Sequence, residues 1–77
     1  MLKGSRQAIL KRIQPISIHG QASWEIVFTH VDDSTEQLNA ARVGPEAITA
    51  QSLEPGYRID VEYLFNQVIK VTRLVPP

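Results

Sequence analysis

The stretch YRIDVEYLFNQVIKVTRL, Tyr57 to Leu74, decides the fold. Tyr57, Ile59, Val61, Tyr63 and Phe65 alternate with Arg58, Asp60, Glu62 and Leu64, the period-two pattern of a strand with one buried face. Asn66-Gln67 separates this run from a second β-rich one, Val68 to Leu74, and Asn tolerates the positive φ that a two-residue turn needs. The pattern predicts a hairpin with Asn66-Gln67 at its tip. Pro76 and Pro77, which cannot donate to a ladder, mark where it stops.

Working outward, Glu54-Pro55-Gly56 reads as a type II turn leading into that hairpin, with Pro and Gly at the two central positions. Before it, Gly44-Pro45-Glu46 is a helix-start signal, and Ala47 to Leu53 leaves room for about two helical turns. A weaker strand is expected over Glu36 to Val43, after the turn-forming Asp32-Asp33-Ser34-Thr35. A clear strand precedes that turn: Ala22, Trp24, Ile26 and Phe28 alternate with Ser23, Glu25, Val27 and Thr29, and His19-Gly20-Gln21 forms the turn before it. Gln7 to Ile18 is rich in β-branched residues but slips phase. Ala8 and Leu10 share one parity, Ile13 takes the other, and Ile16 and Ile18 return to the first. A bulge or bend near Arg12 to Pro15 accounts for the slip; a helix over Ala8 to Ile13 is the alternative.

The order is strand, strand, strand, short helix, strand, strand, in a chain of 77 residues of which 43% are apolar. That suits a single domain over residues 1–77, with an ordered core from roughly Gln7 to Val75, near the lower size limit for a self-sufficient core. The absence of Cys removes disulfides, thiolate nucleophiles and Cys-based zinc sites. No apolar run approaches a membrane span and Met1 to Ala8 has no apolar leader core, so a soluble, cytoplasmic protein without a membrane partner is expected. Five short strands with exposed edges favour closure into a small barrel.

That order, with a long bent first strand and Leu53-Glu54-Pro55-Gly56-Tyr57-Arg58-Ile59-Asp60-Val61 entering the fourth, resembles the OB-fold, the oligonucleotide/oligosaccharide-binding barrel. The resemblance covers nearly the whole chain and is one of topology. It implies a mainly β, five-stranded closed or partly open barrel with one short helix between strands three and four. The segment Pro45 to Leu53 separates it from an SH3-like barrel; another small barrel and a helix-bearing α+β fold are the remaining alternatives. It also implies ligand binding across strands two and three and the adjoining loops, and strands one, four and five as neighbours in that order.

Trp24, Ile26 and Phe28, with Tyr57, Tyr63 and Phe65, are expected inside, leaving Ser23, Glu25, Val27 and Thr29 outside and no aromatic surface on which bases could stack. The formal charge is zero but uneven: residues 1–24 carry +4, residues 25–62 carry −6 and residues 63–77 carry +2. Lys11, Arg12, Arg58, Lys70 and Arg73 on neighbouring strands, with Arg42, are the candidate nucleic-acid contacts, and single-stranded DNA or RNA the expected ligand. Cross-strand pairing of these cations with Asp60 and Glu62 is the competing, purely structural account. His30, Asp32 and Asp33 lie close together, but an Asx-rich turn explains them better than a metal site, and His19 reads as a solvated turn residue. Glu25, Asp60 and Glu62 face outward between apolar neighbours, and no phosphate loop or nucleophile elbow is present, so neither catalysis nor a cofactor is expected. Val27, Val31, Leu64 and Val68 support a second function, a protein-interaction or homo-oligomeric assembly barrel.

Overall fold

A computed structural model describes residues 3–48 and 53–74. The chain forms β1 (Lys3–Ile18), β2 (Gln21–His30), β3 (Asn39–Val43), a 3₁₀ turn (Pro45–Ala47), β4 (Arg58–Leu64) and β5 (Gln67–Arg73). All neighbouring strands are antiparallel, in the spatial order β3-β2-β1-β4-β5. Strands one, four and five are thus neighbours in the order that the OB-fold resemblance implies. The two outer strands, β3 and β5, come near each other but share no ladder, so the sheet curls toward a barrel and stays open along that seam.

The long β1 serves both halves of the sheet. Its first part pairs with β4, from Lys3↔Leu64 to Ile9↔Arg58, and from Ala8 onward it pairs with β2. The register shifts between Leu10 and Arg12, leaving Lys11 as the extra residue just upstream of the expected bulge. The shift moves the inward parity from Ala8 and Leu10 to Ile13, which reconciles the slipped apolar phase, and it excludes the helical alternative. Leu10 still holds the far side, donating to Tyr57 O at 2.9 Å and accepting from Gly56 N at 2.7 Å. Beyond it β4 is gone and Pro15, opposite Trp24, sits where β1 has only β2 beside it, a position that tolerates a missing donor.

The core consists of Ala8, Leu10, Ile26, Phe28, Val43, Ile48, Leu53, Ile59, Val61 and Val71, with Trp24, Tyr57 and Tyr63 packed against it. Five of the six aromatic and aliphatic side chains expected inside from β2 and β4 therefore point inward. Phe65 does not: it is 63% exposed. The tip of the β4–β5 hairpin is Phe65-Asn66, both with positive φ (52° and 67°), and Leu64 pairs with Gln67. The reason lies in β5. A simple Asn66-Gln67 turn would set Lys70 opposite Tyr63 and Thr72 opposite Val61 on the inner face. Turning one residue earlier, and leaving Ile69 unpaired in a bulge, puts Val68 opposite Tyr63 and Val71 opposite Val61 instead. The burial of two valines fixes the register, and the strained turn follows from it.

Two other expectations change. The helix after Gly44 is only the 3₁₀ turn Pro45–Ala47: Ile48 is already extended (φ −151°, ψ 141°), because its side chain is drawn into the core, while 49–52 of the expected helix lie outside the described residues. The third strand begins at Asn39 rather than Glu36, whose positive φ of 53° belongs to the preceding loop. The turn at Glu54-Pro55-Gly56-Tyr57 is as expected, with Gly56 at φ 97° and Tyr57 N donating to Glu54 O at 3.1 Å. The end of the chain at Pro76 and Pro77 lies outside the described residues; β5 itself ends at Arg73.

Candidate functional site

The open seam carries two clefts. One, of about 510 Å³, lies between β3 and the β4–β5 turn, with Asn39 and Arg42 on one wall and Tyr63, Asn66, Gln67 and Val68 on the other. The second, of about 400 Å³, lies between β5 and the 3₁₀ turn, with Glu46, Ile48 and Leu53 facing Lys70 and Arg73. Both exist because neither outer strand is paired on its seam side. A smaller depression of about 220 Å³ lies on the outer face between β1, β2 and the loop after β2, where Lys11, Arg58 and Thr29 meet Asp33 and Glu36.

The six candidate cations divide among these places. Lys11 and Arg58 share the outer depression, Lys70 and Arg73 share the second cleft, and Arg42 lies alone in the first. Arg12 is beside none of these clefts: it donates to Gln14 Oε1 at 2.7 Å. Arg73 pairs with Ile59 on the inward parity and stacks over the Tyr57 ring, 4.6 Å from its centroid, so it does not continue the outer band. None of the six makes an ion pair: among the described residues the one salt bridge is Arg6–Asp32, at 2.7 Å. Lys70 and Glu62 are cross-strand partners and so are Arg42 and Glu25, yet neither couple closes to contact; Glu25 accepts from Gln14 Nε2 at 2.8 Å instead. Asp60 stands opposite Thr72, not a cation.

His30 is 7% exposed and closes one end of the core. Its Nε2 lies 2.8 Å from Tyr63 Oη, and its ring meets Phe28 edge to face at 5.4 Å. Burial first, and the Arg6 guanidinium second, hold the imidazole below its ordinary pKa; burial raises that of Tyr63. Both groups are therefore neutral partners at pH 7. Asp33 accepts from Thr35 N (2.9 Å) and Oγ1 (2.6 Å), the Asx turn expected there, and these hydrogen bonds lower its pKa, as the Arg6 hydrogen bond does that of Asp32. With His30 turned into the core and each aspartate committed elsewhere, the three form no ligand set, and no group of three metal-binding side chains occurs among the described residues. His19 is exposed at the two-residue turn His19-Gly20.

Thr29 lies on the outward parity, opposite Ile9, but is buried at 5% exposure, with Oγ1 unpartnered among the described residues. Of the apolar residues expected outside, Val31 (44%) and Leu64 (36%) are exposed, Val27 is half-buried, and Val68 packs against the core. Leu38 joins the exposed group at 63%. The residue that sequence reasoning missed is Phe65. The available signal was Leu64, which occupies the polar parity and shows that alternation had ended before Asn66. No helix among the described residues is long and apolar enough to cross a membrane. Compared with protein-family models, curated proteins and solved structures, the chain gives no match.

Proposed function

We propose that the chain is a non-enzymatic OB-like binding module for single-stranded nucleic acid. The fold part of this reading is supported by β1 pairing with both β2 and β4, by β5 lying beyond β4, and by β3 and β5 facing each other across a gap, the connectivity of a partly open five-stranded Greek-key barrel. The shrunken helix is a departure from the OB pattern. It leaves the strand order to carry the distinction from an SH3-like barrel.

The observation that carries the ligand class is the cations without an acidic partner. Among the described residues Lys11, Arg12, Arg42, Arg58, Lys70 and Arg73 form no salt bridge, in a chain whose Lys/Arg and Asp/Glu are equal in number, although Arg12 is held by Gln14 and Arg73 lies over the Tyr57 ring. If these residues were held by cross-strand neutralisation, Lys70–Glu62 and Arg42–Glu25 would be in contact. Guanidinium and ammonium groups not neutralised by a carboxylate suit a phosphate backbone, whose binding is dominated by such contacts. The test is fluorescence anisotropy with labelled oligonucleotides at low salt. Each phosphate contact contributes a slope of roughly −0.7 in log K against log salt for a single strand, so replacing Lys70 and Arg42 by Gln should flatten the slope by about one and a half. Absence of binding at tens of micromolar protein, on the scale of non-specific affinities of roughly 10⁻⁴–10⁻⁶ M, refutes the reading.

Exposure of Val31, Leu38, Leu64 and Phe65 favours a second reading, an assembly barrel pairing with another copy or a protein partner. Light scattering decides the homo-oligomeric form: a monomer at all concentrations removes it.

A further inference from the structure

We infer that the outer-face depression over β1, β2 and the start of β4 is a binding site for a small zwitterion of the α-amino-acid class, its carboxylate held by Lys11 and Arg58 and its ammonium by Asp33 and Glu36. The inference goes beyond the proposed function and does not depend on it: the oligonucleotide test turns on Arg42 and Lys70, which lie in the seam clefts.

The depression follows from the register of three strands. Thr29, Ile9 and Arg58 stand in one cross-strand row on the outward face, because Ile9 is opposite Thr29 on one side and Arg58 on the other. The bulge in β1 adds Lys11 to this surface as an extra residue. The loop after β2 brings Asp33, anchored by Thr35, and Glu36, whose φ of 53° is left-handed, to its edge. Two cations and two carboxylates thus line one depression without pairing across it, since among the described residues the one salt bridge is Arg6–Asp32. A lone anion there gains from Lys11 and Arg58 and is repelled by the carboxylates, and a lone cation meets the reverse. A molecule that carries both charges a few bonds apart satisfies both sets. Thr29 supplies an independent observation. Its side chain lines the depression and is 5% exposed, and its Oγ1 is buried with no partner among the described residues. A buried hydroxyl is normally hydrogen-bonded, and a ligand carboxylate is the acceptor that this one lacks. Size and lining set the rest of the ligand. At about 220 Å³ the depression is smaller than the roughly 300–1,000 Å³ of drug-sized sites, and Ile9 and Val31 give it a short apolar wall, so a small amino acid with an aliphatic side chain fits it.

The test follows the amide chemical shifts of the full, isotope-labelled chain during titration with L-valine, isovalerate, isobutylamine and inorganic phosphate to millimolar concentrations. L-valine should move the amides of Ile9, Thr29, Glu36 and Arg58 saturably. Isovalerate and isobutylamine, each keeping one charge of the pair, should bind roughly ten- to 150-fold more weakly, the range of one lost charge-assisted hydrogen bond. Arg58→Gln and Glu36→Gln, both at exposed positions, should weaken L-valine to a similar extent. Thr29→Val should weaken it too, while leaving the fold at least as stable as before. The absence of a saturable shift with L-valine, or an unchanged L-valine affinity in Arg58→Gln or Glu36→Gln, overturns the proposal. So does binding of isovalerate or phosphate as tight as that of L-valine, which makes the depression an anion site only. Saturable L-valine binding by a chain that binds no oligonucleotide upholds this site and overturns the proposed function alone.

Discussion

The two phenylalanines of this chain should respond to substitution in opposite ways. Phe28 is 1% exposed at the centre of the core, and Phe65 is 63% exposed at a hairpin tip with φ 52°. Consider Phe65→Asn. A left-handed backbone costs an L-residue roughly 1–2 kcal/mol, and Asn meets that cost best because its short side chain bonds locally. Against this stands the lost contact of the ring. Full burial of a Phe side chain is worth roughly 1.5–3 kcal/mol, and a residue still 63% exposed realises about a third of it, roughly 0.5–1 kcal/mol. The variant should therefore lie between unchanged and about 1 kcal/mol more stable, a rise in Tm of up to about 6 °C for a domain of this size. Phe28→Ala should cost roughly 3–5 kcal/mol, enough to unfold a small domain in most conditions. Urea titration followed by Trp24 fluorescence, with thermal melting by circular dichroism, gives both values. If Phe65→Asn loses more than about 1 kcal/mol, the ring is a packing element, and the reading of a strained turn imposed by the register of β5 fails. If the variant gains stability, the strain at this turn is a cost that the register of β5 imposes and not a contribution to the fold.

Thr29→Val should stabilise the chain by about 1 kcal/mol, since the buried Oγ1 has no partner among the described residues to compensate its desolvation; a lower urea midpoint refutes this. The depressed pKa of His30 means that the unfolded state binds its proton first. Stability from this group should be complete above the unfolded value of about 6.5 and decline as pH falls through it toward the lower folded value. Urea midpoints between pH 7.5 and 5 should show that decline and lose most of it in His30→Asn; an identical pH profile in the variant sinks the assignment. Tyr63→Phe, which takes away the partner of Nε2, should cost about 1–2 kcal/mol at pH 7 and enlarge the His30 chemical-shift change on titration.

Strand identity was legible because it rests on parity, a property of the sequence alone, whereas the spatial order of the strands came from the likeness of the element order to the OB-fold. Trp24, Ile26, Phe28, Ile59 and Val61 announce their face, and the slip between Leu10 and Ile13 announces a bulge. What escaped was decided between segments. Whether the hairpin turns at Phe65-Asn66 or Asn66-Gln67 depends on which β5 residues meet Tyr63 and Val61, and the local turn chemistry favours the wrong answer, because Phe is a poor left-handed residue and Asn a good one. Helix propensity after Pro45 lost in the same way to the pull of Ile48 into the core. The site inherits this asymmetry. The candidate cations could be named from the sequence, but not their grouping: Lys11 and Arg58 share the outer depression, Lys70 and Arg73 the second cleft, Arg42 lies in the first and Arg12 in none of them. For Phe65 the sequence offered only the weak signal of Leu64 on the polar parity, because its exposure is a by-product of the register that turns Val68 and Val71 inward.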